Sequence, residues 1–221
     1  KLYNEYKDVM ANAQAVSGSG SLRLIAQFLK NCNITGEVRF PNPTWTNQHT
    51  IFRNAGLQTS NYTYINSDAP TLNFKGMMDD INSAPDHSAF VFHACAHNPT
   101  GVDPSHEQWD EISQLCLKKN HIVLFDAAYL GYCSGSVDYD AYAFRKFVAD
   151  GHKVGLTLSF SKNFGLYGER AGMVSIITGS PKERENVVEQ LKIGARALWS
   201  CPPIYGARIV TTVLKDPELF K

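Results

Sequence analysis

The sequence predicts an α/β protein of the three-layer α/β/α kind, with helices on both faces of a mostly parallel central sheet. Three observations carry that expectation. Short apolar runs alternate with amphipathic stretches along the chain, the pattern of repeated βα units. Several of the runs lack a polar/apolar alternation, as strands covered on both faces do. The stretches between them carry recognisable helix start signals. The 221 residues suffice for one large domain with a real core. No internal repeat, low-complexity segment or linker divides them, so residues 1–221 are read as one domain.

Lysine plus arginine and aspartate plus glutamate number 21 each, a balance that gives no electrostatic reason to expect nucleic acid or an anionic membrane as partner. No stretch approaches the roughly 20 apolar residues of a membrane helix. The five cysteines, Cys32, Cys95, Cys116, Cys133 and Cys201, are odd in number, widely spaced and without a CxxC pair. They read as reduced thiols of an intracellular protein. The chain starts at Lys1 inside an apparent helix and stops at Lys221 just after another; the expectation is that it belongs to a longer protein.

Ser17-Gly18-Ser19-Gly20-Ser21 comes first. It precedes a helix expected over Ser21–Lys30 and would offer free N–H groups and a helix dipole to a phosphate, or else act as a flexible cap. Strands follow at Glu37–Phe40 and Tyr62–Ile65, then a helix at Phe74–Ile81 and a strand at Ala89–His93. After that strand, His93, Cys95 and His97 would share one face if the chain stayed extended, which raises a zinc reading. No fourth ligand has a recognisable spacing, and no metal is expected. Ser105 stands before His106-Glu107-Gln108 in capping-box spacing, with Trp109, Ile112, Leu115 and Cys116 on one face of the helix. The run Ile122–Phe125 ends on Asp126, a carboxylate that serves as a cap, joins a buried ion pair, or meets a protonated ring nitrogen. The run Val154–Ser159 leads to Lys162, either a surface cation or a carbonyl-capturing amine. Ser159 and Arg170 flank it with groups suited to a phosphate. A last strand at Met173–Ile177 precedes a helix opened by Ser180-Pro181-Lys182-Glu183, with Val187, Val188 and Leu191 on its buried side.

Two long motifs, His93-Ala-Cys-Ala-His-Asn-Pro-Thr-Gly-Val-Asp-Pro104 and Ser159-Phe-Ser-Lys-Asn-Phe-Gly-Leu-Tyr-Gly-Glu-Arg170, resemble those of the fold-type I aminotransferases of the aspartate aminotransferase branch. The resemblance covers essentially the whole chain and implies the large domain of a pyridoxal 5′-phosphate (PLP) enzyme. It implies Lys162 as Schiff-base lysine and proton shuttle, Asp126 as partner of the pyridinium nitrogen and His93 as its support. Asn98 and Tyr129 would bond the phenolate oxygen, and Trp45 would stack on the ring. Gly18, Ser19, Ser159 and Arg170 would form the phosphate cup, with cis peptides before Pro43 and Pro99. Asn98 and Trp45 would also meet substrate. Arg196 would grip the distal carboxylate of aspartate or glutamate in a neighbouring subunit's site, which implies a homodimer acting on amino acids and 2-oxo acids.

The same resemblance places a phosphate-binding tyrosine upstream of Lys1 and the α-carboxylate arginine in a small domain past Lys221. It leaves two compartments, the cytoplasm first and the mitochondrial matrix second, because forms from the two differ mainly at the N-terminus. Departures from the pattern are Ser19 for a threonine, Gln48 with His49 next where a histidine is usual, and Cys201 for an asparagine. Competing functions are an aromatic amino-acid aminotransferase of the same branch and a non-catalytic binding or dimerisation fragment.

Overall fold

The computed structural model describes residues 2–220. A seven-stranded sheet runs in the order β1-β7-β6-β5-β4-β2-β3, with β1 Met10–Val16, β2 Glu37–Asn42, β3 Gln58–Thr63, β4 Ala89–His93, β5 Ile122–Ala127, β6 Val154–Ser159 and β7 Ala171–Ile177. The strands from β3 to β6 pair in parallel. Only β7 runs against its neighbours, β6 and β1. The α/β class with a mostly parallel sheet therefore stands.

Alternate residues of the central strands point into two separate cores, which is how a period of two becomes three layers. Phe90, Phe92, Val123 and Phe125 face one side. There they meet Met77 and Ile81 of α4 (Phe74–Ser83), Trp109, Ile112 and Cys116 of α5 (His106–Lys118) and Phe144 and Phe147 of α7 (Tyr142–Ala149). Ala89, Val91, Leu124 and Val174 face the other side. Their cover is Leu22, Ile25 and Leu29 of α2 (Ser17–Asn31), Phe52 of α3 (Asn47–Asn54) and Val187 and Leu191 of α8 (Pro181–Trp199). The capping box at Ser105 forms as its spacing suggests, and Ser180 caps α8 with Pro181 in its first turn.

Three expectations need correction. Strand β1 was not anticipated: MANAQAV has few β-formers, and it is a strand because β7 pairs with it along its whole length. The strand expected at Tyr62–Ile65 lies earlier, at Gln58–Thr63. It is an edge strand, so polar residues there stay hydrated and leave no apolar run to read. Ser17–Gly20 is the first turn of α2 itself and not a loop ahead of it.

Candidate active site

The C-terminal ends of β4, β5 and β6 open onto one cleft, lined on its far side by the first turn of α2. This is where open α/β sheets place ligands. Gly18, Ser19, Trp45, His93, Asn98, Asp126, Tyr129, Ser159, Lys162 and Arg170 all line it, so residues far apart in the sequence meet in one concavity.

The α2 end of the cleft gathers hydrogen-bond donors. Ser17, Ser159 and Ser161 are buried, with the Ser17 and Ser161 hydroxyls 2.7 Å apart and those of Ser17 and Ser159 3.3 Å apart. The backbone carbonyl of Arg170 accepts from the Ser17 N–H at 3.0 Å, which ties the guanidinium-bearing loop to the helix start. Among the described residues, Arg170 forms no salt bridge, and its Nη1 donates to the carbonyl of Tyr167 at 2.9 Å. Hydroxyls, a guanidinium and a helix N-terminus together make a donor set for a phosphate dianion. Gly172 makes this packing possible: a Cβ there would stand 2.5 Å from the Ser17 carbonyl oxygen.

At the other end, neighbouring strands set His93 beside Asp126 and Asp126 beside Thr157. Burial of the Asp126 carboxylate raises its pKa to about 6, against the hydrogen bonds from Gln48 and Thr157 and the charge of Lys162, which act to lower it. Gln48 Nε2 donates to Asp126 Oδ2 at 2.7 Å, and Thr157 Oγ1 lies 3.4 Å from Oδ1. Burial holds His93 down near 4, so its ring is neutral at ordinary pH. A desolvated carboxylate whose hydrogen-bond donors are neutral is suited to a cationic ring nitrogen.

Lys162 follows β6 in a turn closed by the Gly165 N–H donating to the Lys162 carbonyl at 3.0 Å; the Tyr132 hydroxyl donates to the same carbonyl, also at 3.0 Å. Its ammonium makes no ion pair among the described residues and lies 5.4 Å from the Tyr129 ring centroid and 6.0 Å from that of Tyr167. The Tyr129 phenol is pushed up by burial and by Tyr167, which favours its protonated, donating form. Trp45 is half-buried on the cleft wall. The peptide bonds Asn42–Pro43 and Asn98–Pro99 are cis.

Not every sequence reading converges here. Arg196 lies on α8, exposed and outside the cleft. The trio His93, Cys95 and His97 is not a donor cluster, because the chain leaves the extended conformation after β4, with Ala96 at φ 48°. The two imidazoles stack, with ring centroids 4.5 Å apart. Among the described residues the converging group is instead Cys95, Cys133 and Asp140. Asp140 there is already engaged by the N–H groups of Gly131 and Cys133 and the hydroxyl of Ser134.

Sequence reasoning gave no site role to the side chains of Ser17, Ser161 and Gln48, although it placed Ser17 in a phosphate-binding segment and noted Gln48 where a histidine is usual. A repeated Ser-x-Ser on both sides of the cleft (Ser17-Gly-Ser19, Ser159-Phe-Ser161) was the available signal for the first two. His49, beside Gln48, packs against Phe40 at 4.8 Å instead.

The described residues include no helix long and apolar enough to cross a membrane. The family model for aminotransferase class I and II matches residues 1–221. The mitochondrial aspartate aminotransferase of Dictyostelium discoideum is 50% identical over 211 residues, covering 95% of this chain and 49% of that protein. The cytoplasmic aspartate aminotransferase of the same organism is 47% identical, covering 95% and 48%. An aromatic-amino-acid aminotransferase from Burkholderia pseudomallei, solved covalently bound to pyridoxal phosphate, superposes with a TM-score of 0.93 at 39% identity, over 96% of this chain and 53% of that one. The chain thus spans about half the length of the curated relatives it matches.

Proposed function

The chain belongs to the class I and II aminotransferases, and on that premise we propose that the full-length protein transfers the amino group of L-aspartate to 2-oxoglutarate, giving oxaloacetate and L-glutamate, with PLP held in this cleft. The observation that carries the reading is the convergence of an unpaired lysine amine, a desolvated carboxylate and an anion cup on one concavity. Those three features match an aldehyde, a pyridine nitrogen and a phosphate on one molecule.

When bound, PLP supplies an electron sink for the pair left at the substrate Cα. Lys162 Nζ would hold the cofactor at its aldehyde carbon and would take up the proton that leaves the substrate Cα. Asp126 keeps the ring nitrogen protonated by pairing with it, and His93 backs that carboxylate. Tyr129 and Asn98 would donate to the cofactor's ring oxygen, and the Trp45 indole, on the cleft wall, would pack against its ring. Ser19, Gly18, Ser159 and Arg170 hold the phosphate, joined by the Ser17 and Ser161 hydroxyls.

Arg196, exposed on α8, presents a planar fork that matches a carboxylate with two hydrogen bonds. Its distance from the cleft of its own chain fits a role in a second subunit's site, hence a homodimer with shared sites. The aromatic-amino-acid aminotransferase among the compared structures favours a second reading, in which phenylalanine is the preferred donor. Turnover of aspartate and phenylalanine with 2-oxoglutarate by the full-length protein separates the two. Aspartate is expected to win by orders of magnitude in kcat/KM, and a clear preference for phenylalanine overturns the first reading.

A further inference from the structure

Two thiols that the cofactor cleft does not use meet behind it. Cys95 follows β4 and Cys133 follows β5. Their sulfurs lie within 4.8 Å of one another, with a carboxylate oxygen of Asp140 in the same cluster. Cys95 is buried and belongs to the wall between the cleft and a second cavity, which Asp103, Cys133 and Asp140 also line. Cys133 is exposed, so a solute reaches it without entering the cleft.

The cluster is not arranged for a cation. Asp140 Oδ2 accepts from the N–H groups of Gly131 and Cys133 at 2.8 and 3.1 Å, and its Oδ1 accepts from the Ser134 hydroxyl at 2.7 Å. Asp103 accepts from the N–H groups of Ala96 and His97 at 2.7 and 2.9 Å. Each carboxylate closes its own loop, Asp103 the one after β4 and Asp140 the one after β5, and its oxygens are already given to those donors. Between the two loops it is sulfur that faces sulfur, beside a long 3.9 Å contact from Cys133 Sγ to Asp103 Oδ2.

Burial, and with it the nearby carboxylates of Asp140 and Asp103, pushes both thiols up. A disulfide is strongly oxidising where the protein stabilises the thiolate it releases. That stabilisation is missing here, so the bond persists once made. The Cys95 S–H donates toward the Cys133 sulfur, which acts to lower Cys133 against the upward push. The exposed sulfur is therefore the one to react first.

We propose that Cys95 and Cys133 are a redox site: a thiol pair that a low-molecular-weight disulfide, such as glutathione disulfide, converts into a reversible Cys95–Cys133 bond fastening the loop of Asn98 to the loop of Tyr129. Cys133, as thiolate, attacks one sulfur of the reagent, forming a mixed disulfide and releasing one glutathione thiolate. Cys95 gives up its proton, attacks the Cys133 sulfur and expels the second. The two protein thiols are oxidised, the reagent's disulfide is reduced, and the two protons end on the two glutathione thiols. The site goes beyond the transamination proposed above and does not depend on it, since neither sulfur takes part in that reaction.

The test uses the full-length protein in glutathione buffers of rising disulfide-to-thiol ratio, with a metal chelator present. After acid quenching, free thiols are alkylated in denaturant and the tryptic peptides are weighed. Lys118 and Lys119 lie between the two cysteines, so a bond joins two otherwise separate peptides. The joined pair is expected to become the dominant form as the ratio rises and to separate again with dithiothreitol, while Cys116, sealed in the α5 core, stays alkylated throughout. Cys133→Ser should abolish the joined pair. Cys95→Ser should also abolish it and trap the intermediate, raising glutathione on Cys133 on the order of tenfold over the parent. Both sulfurs alkylated at every ratio would overturn the proposal, as would a parent that holds as much glutathione on Cys133 as Cys95→Ser does. Stoichiometric zinc bound by the parent without chelator, and lost in Cys133→Ser, would make the cluster a metal site and overturn it equally.

Discussion

Replacing Asp126 by asparagine should make the apoprotein more stable and the cofactor site worse. Burial raises the Asp126 pKa from 3.8 to about 6. For a carboxyl so raised, the folded state holds its proton more tightly than the unfolded chain, and the associated stability is present below about pH 4 and lost as pH climbs through 6. A shift of about two units is worth on the order of 3 kcal/mol. Part of that is screened because the group opens onto a solvated cleft, so about 1–2 kcal/mol is a realistic expectation. The substituted amide would be neutral throughout and would keep an oxygen for Gln48 Nε2, now 2.7 Å from Oδ2.

Urea unfolding of the full-length apoprotein should therefore show Asp126→Asn ahead by that amount near pH 7.5, with the advantage fading toward pH 4. Adding PLP should reverse the order, because only the carboxylate can pair with a cationic nitrogen. An apo variant that is no more stable than the parent at pH 7.5, or a difference independent of pH, would refute the reasoning.

Other expectations follow from packing. Gly172→Ala should displace the first turn of α2, because the new Cβ would meet the Ser17 carbonyl oxygen, carbon and Cα at 2.5–2.7 Å. A loss of about 1–3 kcal/mol and a drop in affinity for the phosphate end of PLP are expected. Gly168→Ala, with nothing within 4 Å, is the control, and equal behaviour of the two in unfolding and cofactor titration would contradict the packing account. Trp109→Ala removes a side chain 4% exposed that meets Phe92, Phe125 and Phe147 at 5.8–6.2 Å. Denaturant titration should show a loss of about 3–5 kcal/mol, and a loss under about 1 kcal/mol would mean that this core collapses to fill the gap. Ser105→Ala, which breaks the exposed capping box of α5, should cost about 1 kcal/mol in the same assay without altering cofactor affinity.

How legible the molecule was depended on whether a residue's role left a local pattern. Strands β4, β5 and β6 were plain in the sequence because burial on both faces leaves continuous apolar runs. They are also the strands that deliver His93, Asp126 and Ser159 to the cleft. Strand β1 was not plain, since Ala, Asn and Gln become a strand only when β7 offers a partner. The polar edge strand β3 was displaced in the reading for a related reason: its backbone pairs with β2 on one side only.

In the cleft, the residues of the two long motifs were legible because they are contiguous. Gln48 was not, as a glutamine carries no mark of burial until the fold seals it against Asp126 and His93. The stacking of His93 on His97 was equally hidden, since it depends on the turn at Ala96.

Cofactor trapping asks whether Lys162 is the amine that holds the cofactor. The full-length protein is incubated with PLP, reduced with borohydride, digested and mapped by mass. One adduct is expected, on Lys162 and absent from a Lys162→Ala variant. Labelling scattered over other lysines, or a Lys162→Ala variant that still traps the cofactor at one site, would contradict it.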